Sequence, residues 1–289
     1  MCGGSDRFHV FADDQGWMCR KCAPEGGDIL ELIQRTHRCS FQEALDIAEG
    51  KSRYRAPTRK RTPVEKEREH LEWTSSEWQK EASTIIAEAT RALNAADDAR
   101  QYLEQRKISI ATQFAYSVGY TKEKRAITLP WIAKDGRITA VKFRYVKAWT
   151  GANGKLQRFS QLAGGSQQIF GAHLLDGSEK PLVIIEGEFN AMSIYQCARD
   201  IVSVLSPGGD TNFKPMTHLL GRPGRKLLWI DSPDRAEDVC NLCRNAGIDL
   251  GNTVIAVSPH GKDANDILME HGERALRSFV SSKIAGGHV

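Results

Sequence analysis

Three apolar runs in the last third of the chain end on acids. LVIIEG closes on Glu186, KLLWIDSPD on Asp231 and Asp234, and TVIAVSPHGKD on Asp263. In an open parallel sheet, function gathers outside the carboxyl ends of the strands, so strand-terminal acids of this kind converge on one edge. Clustered carboxylates repel one another unless cations sit among them, and hard divalent ions such as magnesium or manganese take oxygen ligands alongside phosphates and waters. The chemistry this implies is phosphoryl transfer. Two ions would be set against an attacking 3'-oxygen and a leaving pyrophosphate, with Glu186 acting as base or orienting the metal-bound species. Ser232-Pro233-Asp234 also reads as a helix start, in which Asp234 serves the helix dipole, and both uses of Asp234 stay open.

A second set of chemistry-bearing residues lies at the other end. Cys2, Cys19 and Cys22 form one C-x-x-C pair and a single earlier cysteine separated from it by sixteen residues, the pattern of two zinc knuckles with one ligand missing. If the first knuckle were also C-x-x-C, the missing ligand would precede Met1. A structural zinc needs four ligands, and His9 and His37 are the available substitutes. Cys240 and Cys243 make another C-x-x-C, but helix packing accounts for it, since no second pair lies nearby.

Positioning these groups requires a definite order of elements. In residues 1–50, Gly27-Asp28 caps a helix from Ile29 to Arg35 and Ser40 caps another from Phe41 to Glu49. Residues 51–74 form a basic and charged linker that opens KSRYRAPTRKR, without apolar period. Tyr54 among these arginines suits either a flexible tether or an electrostatic track for a single strand. Residues 75–106 carry helical spacing, and two alternating runs around Lys134-Asp135-Gly136 predict a hairpin, giving an α+β segment over 75–178. From 179 to 289 the apolar strand, polar turn and helix pattern repeats, predicting a largely parallel sheet.

The 289 residues, 40% hydrophobic, allow two or three compact units with a real core. A net charge of +4 tolerates a polyanionic partner without demanding one. No apolar run reaches membrane-spanning length and no signal peptide is visible, so a cytosolic protein is expected, with its seven cysteines reduced. No G-x-x-x-x-G-K-[ST] loop occurs, which argues against a helicase motor in this chain.

Together these features resemble the bacterial DnaG-type primases and their phage and plasmid relatives over nearly the whole chain. CGGSDRF, WMCRKC and GGDILELIQRTHRCSFQEALDIA look like the primase zinc-binding module. ARQYLEQRKISIATQFAYSVGY, ITLPWIAKDGRITAVKFRYV and RFSQLAGGSQQIFG are similar to the basic subdomain of the core. LVIIEGEFNAMS and LLWIDSPD look like the two signature motifs of the Toprim fold, and GKDANDILMEHG resembles the acidic motif that ends it. The resemblance implies an α/β protein with a Toprim-type parallel core, an α+β basic subdomain and a small zinc-ribbon module. It implies Glu186 as catalytic glutamate, Asp231 and Asp234 as magnesium-binding aspartates, Asp263 as the later acid, and zinc on Cys2, Cys19 and Cys22. Lys142, Arg144 and Arg158 would hold template phosphates or the incoming nucleotide, as cations do opposite a triphosphate; solvated strand charges are the plainer account of all three.

The expected activity is therefore synthesis of short RNA primers on single-stranded DNA from nucleoside triphosphates, in a nucleoid, phage or plasmid replication complex, with a helicase supplied by another chain. Three departures bear on it. The aspartates are spaced D-x-x-D rather than D-x-D, Asn190 stands where an aspartate is common, and the first zinc cysteine is missing. These departures keep two rivals in view, a Toprim nuclease and a degenerate primase retained as a DNA-binding or replisome module.

Overall fold

The computed structural model describes residues 8–11, 16–20, 23–37, 39–50, 72–151, 154–209, 217–220, 224–230, 233–245 and 250–286. Cys2, Cys22, Asp231 and the basic linker from Lys51 to Arg61 lie outside the described residues, so the expectations placed on them have no structural counterpart. The chain divides into two compact units, 1–64 and 65–289.

The first unit is a three-stranded antiparallel sheet, β1 (Phe8–Phe11), β2 (Gly16–Cys19) and β3 (Ala23–Asp28), followed by α1 (Ile29–His37) and α2 (Phe41–Ala48). Both predicted helix starts are present. The Asp28 carboxylate accepts from the Glu31 amide at 2.8 Å, and Ser40 forms a reciprocal capping box with Glu43. Such caps satisfy amides that the first helical turn leaves without intrahelical partners. The buried centre described here is small: Trp17, Cys19 and Ala23, with Leu32 packed against them.

The second unit contains two four-stranded sheets. Helices α3 (Ser76–Leu93), α4 (Asp97–Gln105) and α5 (Ile110–Ala115) lead into antiparallel strands β4 (Gly119–Thr121), β5 (Ala126–Ile132), β6 (Ile138–Thr150) and β7 (Leu156–Gln161). The predicted hairpin joins β5 to β6, with Gly136 taking the left-handed conformation (φ +85°) that a side chain would oppose. Gly119 permits a different close approach. A Cβ there would stand 2.5 Å from the Ala89 backbone, so α3 lies directly against β4.

The parallel sheet follows: β8 (Leu182–Ile185), α6 (Glu188–Ala198), β9 (Ser203–Leu205), α7 (Thr217–Leu220), β10 (Lys226–Ile230), α8 (Pro233–Asn245), β11 (Thr253–Val257) and α9 (Ala264–Ile284). Strand order is β11-β10-β8-β9, every neighbour parallel, as the repeated strand, turn and helix pattern predicts. All five residues of β10 are buried because helices cover both faces of the sheet. Leu227 and Trp229 join a core with α6 and α9, while Leu228 and Ile230 join a second core with Leu219, Leu220 and Val239. The first of these cores also takes in Ile127, Leu129 and Trp131 of β5, so the antiparallel and parallel sheets share one interior. Among the described residues, no helix is long and apolar enough to cross a membrane.

Candidate active site

The carboxyl ends of the parallel strands form the edge to which the sequence assigned chemistry. Glu186 leaves the sheet immediately after β8, and Gly187, at φ +83°, turns the chain into α6. The Gly187 amide donates to the Gly208 carbonyl at 3.0 Å, which anchors this turn to the loop after β9. Glu186 is half-buried, with its Oε1 withdrawn from solvent. A partly desolvated carboxylate at a strand end is a fit donor for a hard divalent cation.

The other expected acids are placed unequally. Asp234 falls in the first turn of α8, the helix following β10, but only its backbone is described. Its backbone thus belongs to a helix rather than to a strand. Asp263 is the N-cap of α9. One oxygen accepts from the Asp266 amide at 2.8 Å, and Asp266 returns the bond to the Asp263 amide. That carboxylate has a structural task whatever else it does. Among the described residues, no cluster of three or more His, Cys, Asp or Glu side chains is arranged to hold a metal.

Asn190, expected to weaken the acidic site, is an organiser of its backbone. Its amide nitrogen donates to the Glu186 carbonyl at 2.8 Å and its amide oxygen accepts from the Asn265 backbone at 3.0 Å. Asn265 in turn donates to Ser193 Oγ and to the Arg106 carbonyl, both at 2.9 Å, and its Oδ1 accepts from the Arg106 guanidinium at 2.8 Å. An aspartate at 190 could not donate to the Glu186 carbonyl. The chain thus ties the end of β8, α6, α9 and the end of α4 into one largely buried network, and no sequence pattern signals Asn265 or Arg106.

The expected cations divide three ways. Lys142 on β6 is 7% exposed, with its ammonium 2.5 Å from Glu188 Oε1, 4.8 Å from the Phe159 ring centre and 5.6 Å from that of Trp131. Arg144 donates to the Tyr102 hydroxyl at 3.1 Å, and Arg106 donates to the same oxygen at 3.1 Å while lying over Tyr102 and Phe189. Arg158 is exposed on β7. Of the three, Arg158 is open to a polyanion, Arg144 is partly committed, and Lys142 is already neutralised by Glu188, a residue that sequence reasoning passed over.

In the first unit, Cys19 is buried on β2 and pairs in register with Phe8. His9 pairs with Met18, which puts it on the face of the hairpin opposite Cys19. Its Nε2 is buried without a hydrogen bond among the described residues.

No family model and no curated protein matches the chain. Solved structures do. The zinc-binding and RNA polymerase domains of the Aquifex aeolicus primase match 98% of this chain and 76% of that one, at 15% identity and a TM-score of 0.57. The E. coli primase catalytic core matches 70% of this chain and 78% of its own, at 14% identity and a TM-score of 0.55. A DnaG primase catalytic domain bound to single-stranded DNA matches 76% and 82%, at 14% identity and a TM-score of 0.55. The fold is that of a primase catalytic core.

Proposed function

We propose that this chain is a DNA primase that builds short RNA primers on single-stranded DNA. The observation that carries the reading is Glu186. It stands at the carboxyl end of a parallel strand, partly withdrawn from water, on a fold shared over 98% of the chain with a primase's zinc-binding and RNA polymerase domains.

Glu186, Asp231 and Asp234 would hold magnesium or manganese, for which an all-carboxylate donor set is chemically suited. Bound divalent ions supply charge stabilisation to the attacking and leaving oxygens of nucleotidyl transfer. The chain's own residues do the rest. Glu186 orients the reacting groups, Asp263 contributes at the rim while capping α9, and Arg144 and Arg158 attract template or triphosphate through charge-assisted hydrogen bonds. The parallel core corresponds in this reading to a Toprim domain, with 75–178 as its basic subdomain. Residues 1–50 would be a zinc-ribbon module held by Cys2, Cys19 and Cys22, and a separate helicase would supply unwinding.

The test is primer synthesis on single-stranded DNA with labelled nucleoside triphosphates and magnesium or manganese. Wild type is expected to give short products and Glu186→Gln none. The altered aspartate spacing and the committed amide of Asn190 favour a second reading, a DNA-binding module without catalysis. Template binding with no products, indifferent to Glu186→Gln, would establish that one instead.

A further inference from the structure

We infer that the buried Lys142 and Glu188 pair is a positioning device that fixes the Glu186 carboxylate, and that Lys142 is not a phosphate ligand. The inference rests on the reading of Glu186 as the acid of the site.

Glu186 is joined to α6 through Gly187, whose left-handed backbone leaves the turn free to adopt alternatives. Three contacts remove that freedom. The Gly187 amide bonds to Gly208, the Asn190 amide bonds to the Glu186 carbonyl, and the Glu188 carboxylate meets Lys142. The first two hold backbone on the parallel sheet side. The third alone reaches across to β6, and so sets the first turn of α6 against the antiparallel sheet.

The environment of the ammonium argues for this role over phosphate binding. Trp131 and Phe159 wall it in while Glu188 balances its charge, and both members of the pair are less than a tenth exposed. An incoming phosphate would have to displace the Glu188 carboxylate from an ammonium that the protein has already taken out of water. Buried ion pairs are seldom more stabilising than apolar residues of the same size. What such a pair adds is direction, because it holds only when both partners are in register.

The experiment uses the full chain with three variants: Lys142→Met, the double change Lys142→Met with Glu188→Leu, and the milder Glu188→Asp, which keeps the charge and withdraws it by one methylene. We expect the double variant to regain folded stability lost in the single one, yet to lower kcat on the order of 10- to 100-fold, the scale of an ångström misplacement. KM for nucleotides and the salt dependence of template binding should stay at wild-type values. Glu188→Asp should lower kcat in the same sense. A raised KM with kcat retained would make Lys142 a phosphate ligand, and wild-type kcat in the double variant or in Glu188→Asp would make the pair mere packing; either overturns the inference. Binding of Mn2+ alone separates this from failure of the primase reading. If wild type makes no primers, weaker Mn2+ binding in the double variant and loss in Glu186→Gln still support positioning, and unchanged Mn2+ affinity in the double variant sinks it.

Discussion

Glu188 and Lys142 each become a liability when the other is removed, because a buried charge without its partner carries its full desolvation cost. Lys142→Met or Glu188→Leu alone is expected to lower stability by about 3–5 kcal/mol, and the double change to recover most of that, as urea denaturation would measure. His173 offers a second test at this scale. Burial holds its imidazole below the ordinary value of 6.5, against the opposing hydrogen bonds from the Ala115 and Ile132 backbones. The folded state therefore resists the proton that the unfolded chain accepts below pH 6.5. Stability should be full above that pH and fall as pH drops through the lowered folded value, and His173→Gln should flatten the dependence in urea titrations at pH 7.5 and 5.5. The strand-end placement of Glu186 was legible in the sequence because an acid there directly follows a wholly apolar run. Glu188 was not, since an acid in a first helical turn ordinarily serves the helix dipole and its actual partner lies on another sheet.

The elements were read with more success than the residues joining them. The hairpin at Gly136, the capped helices α1 and α2 and the four parallel strands all follow from local pattern, and local pattern is what the sequence displays. The network of Asn190, Asn265 and Arg106 is assembled from three helices, and nothing in its spacing announces it. Helix α9 shows where one residue belongs to both levels. Asp263→Ala should cost about 1 kcal/mol through the lost cap, whereas Asp263→Asn keeps a competent cap and removes the charge. Thermal unfolding together with primer assays would separate these, the asparagine variant being expected to lose activity without losing stability. Cys197 on α6 belongs to the same scale. Burial, aided by Glu273, pushes its thiol up to about 12, so alkylation at pH 8 should spare it in the native protein and reach it after denaturation.

For the whole molecule, the contrast between units is one of core size. The second unit buries a continuous interior across two sheets, while the described centre of the first comprises Trp17, Cys19 and Ala23. So small a core needs a staple, which metal binding supplies in the reading of Cys2, Cys19 and Cys22 as zinc ligands. A strong chelator is then expected to make residues 1–64 susceptible to protease and leave 65–289 resistant, as mass spectrometry of limited digests would show. The shared interior of the second unit also sets an order on its making. Among the described residues, β8 pairs only with strands that come later in the chain, Leu182 meeting Ser203 and Lys226. The inward face of β5 joins a core to which α9 also contributes. During synthesis the antiparallel sheet emerges whole, by Gln161, with its core still lacking what the parallel strands, α6 and α9 contribute. The nascent chain must therefore carry an incomplete half-domain until α9 leaves the ribosome, which makes its folding late, non-local and dependent on protection while it waits.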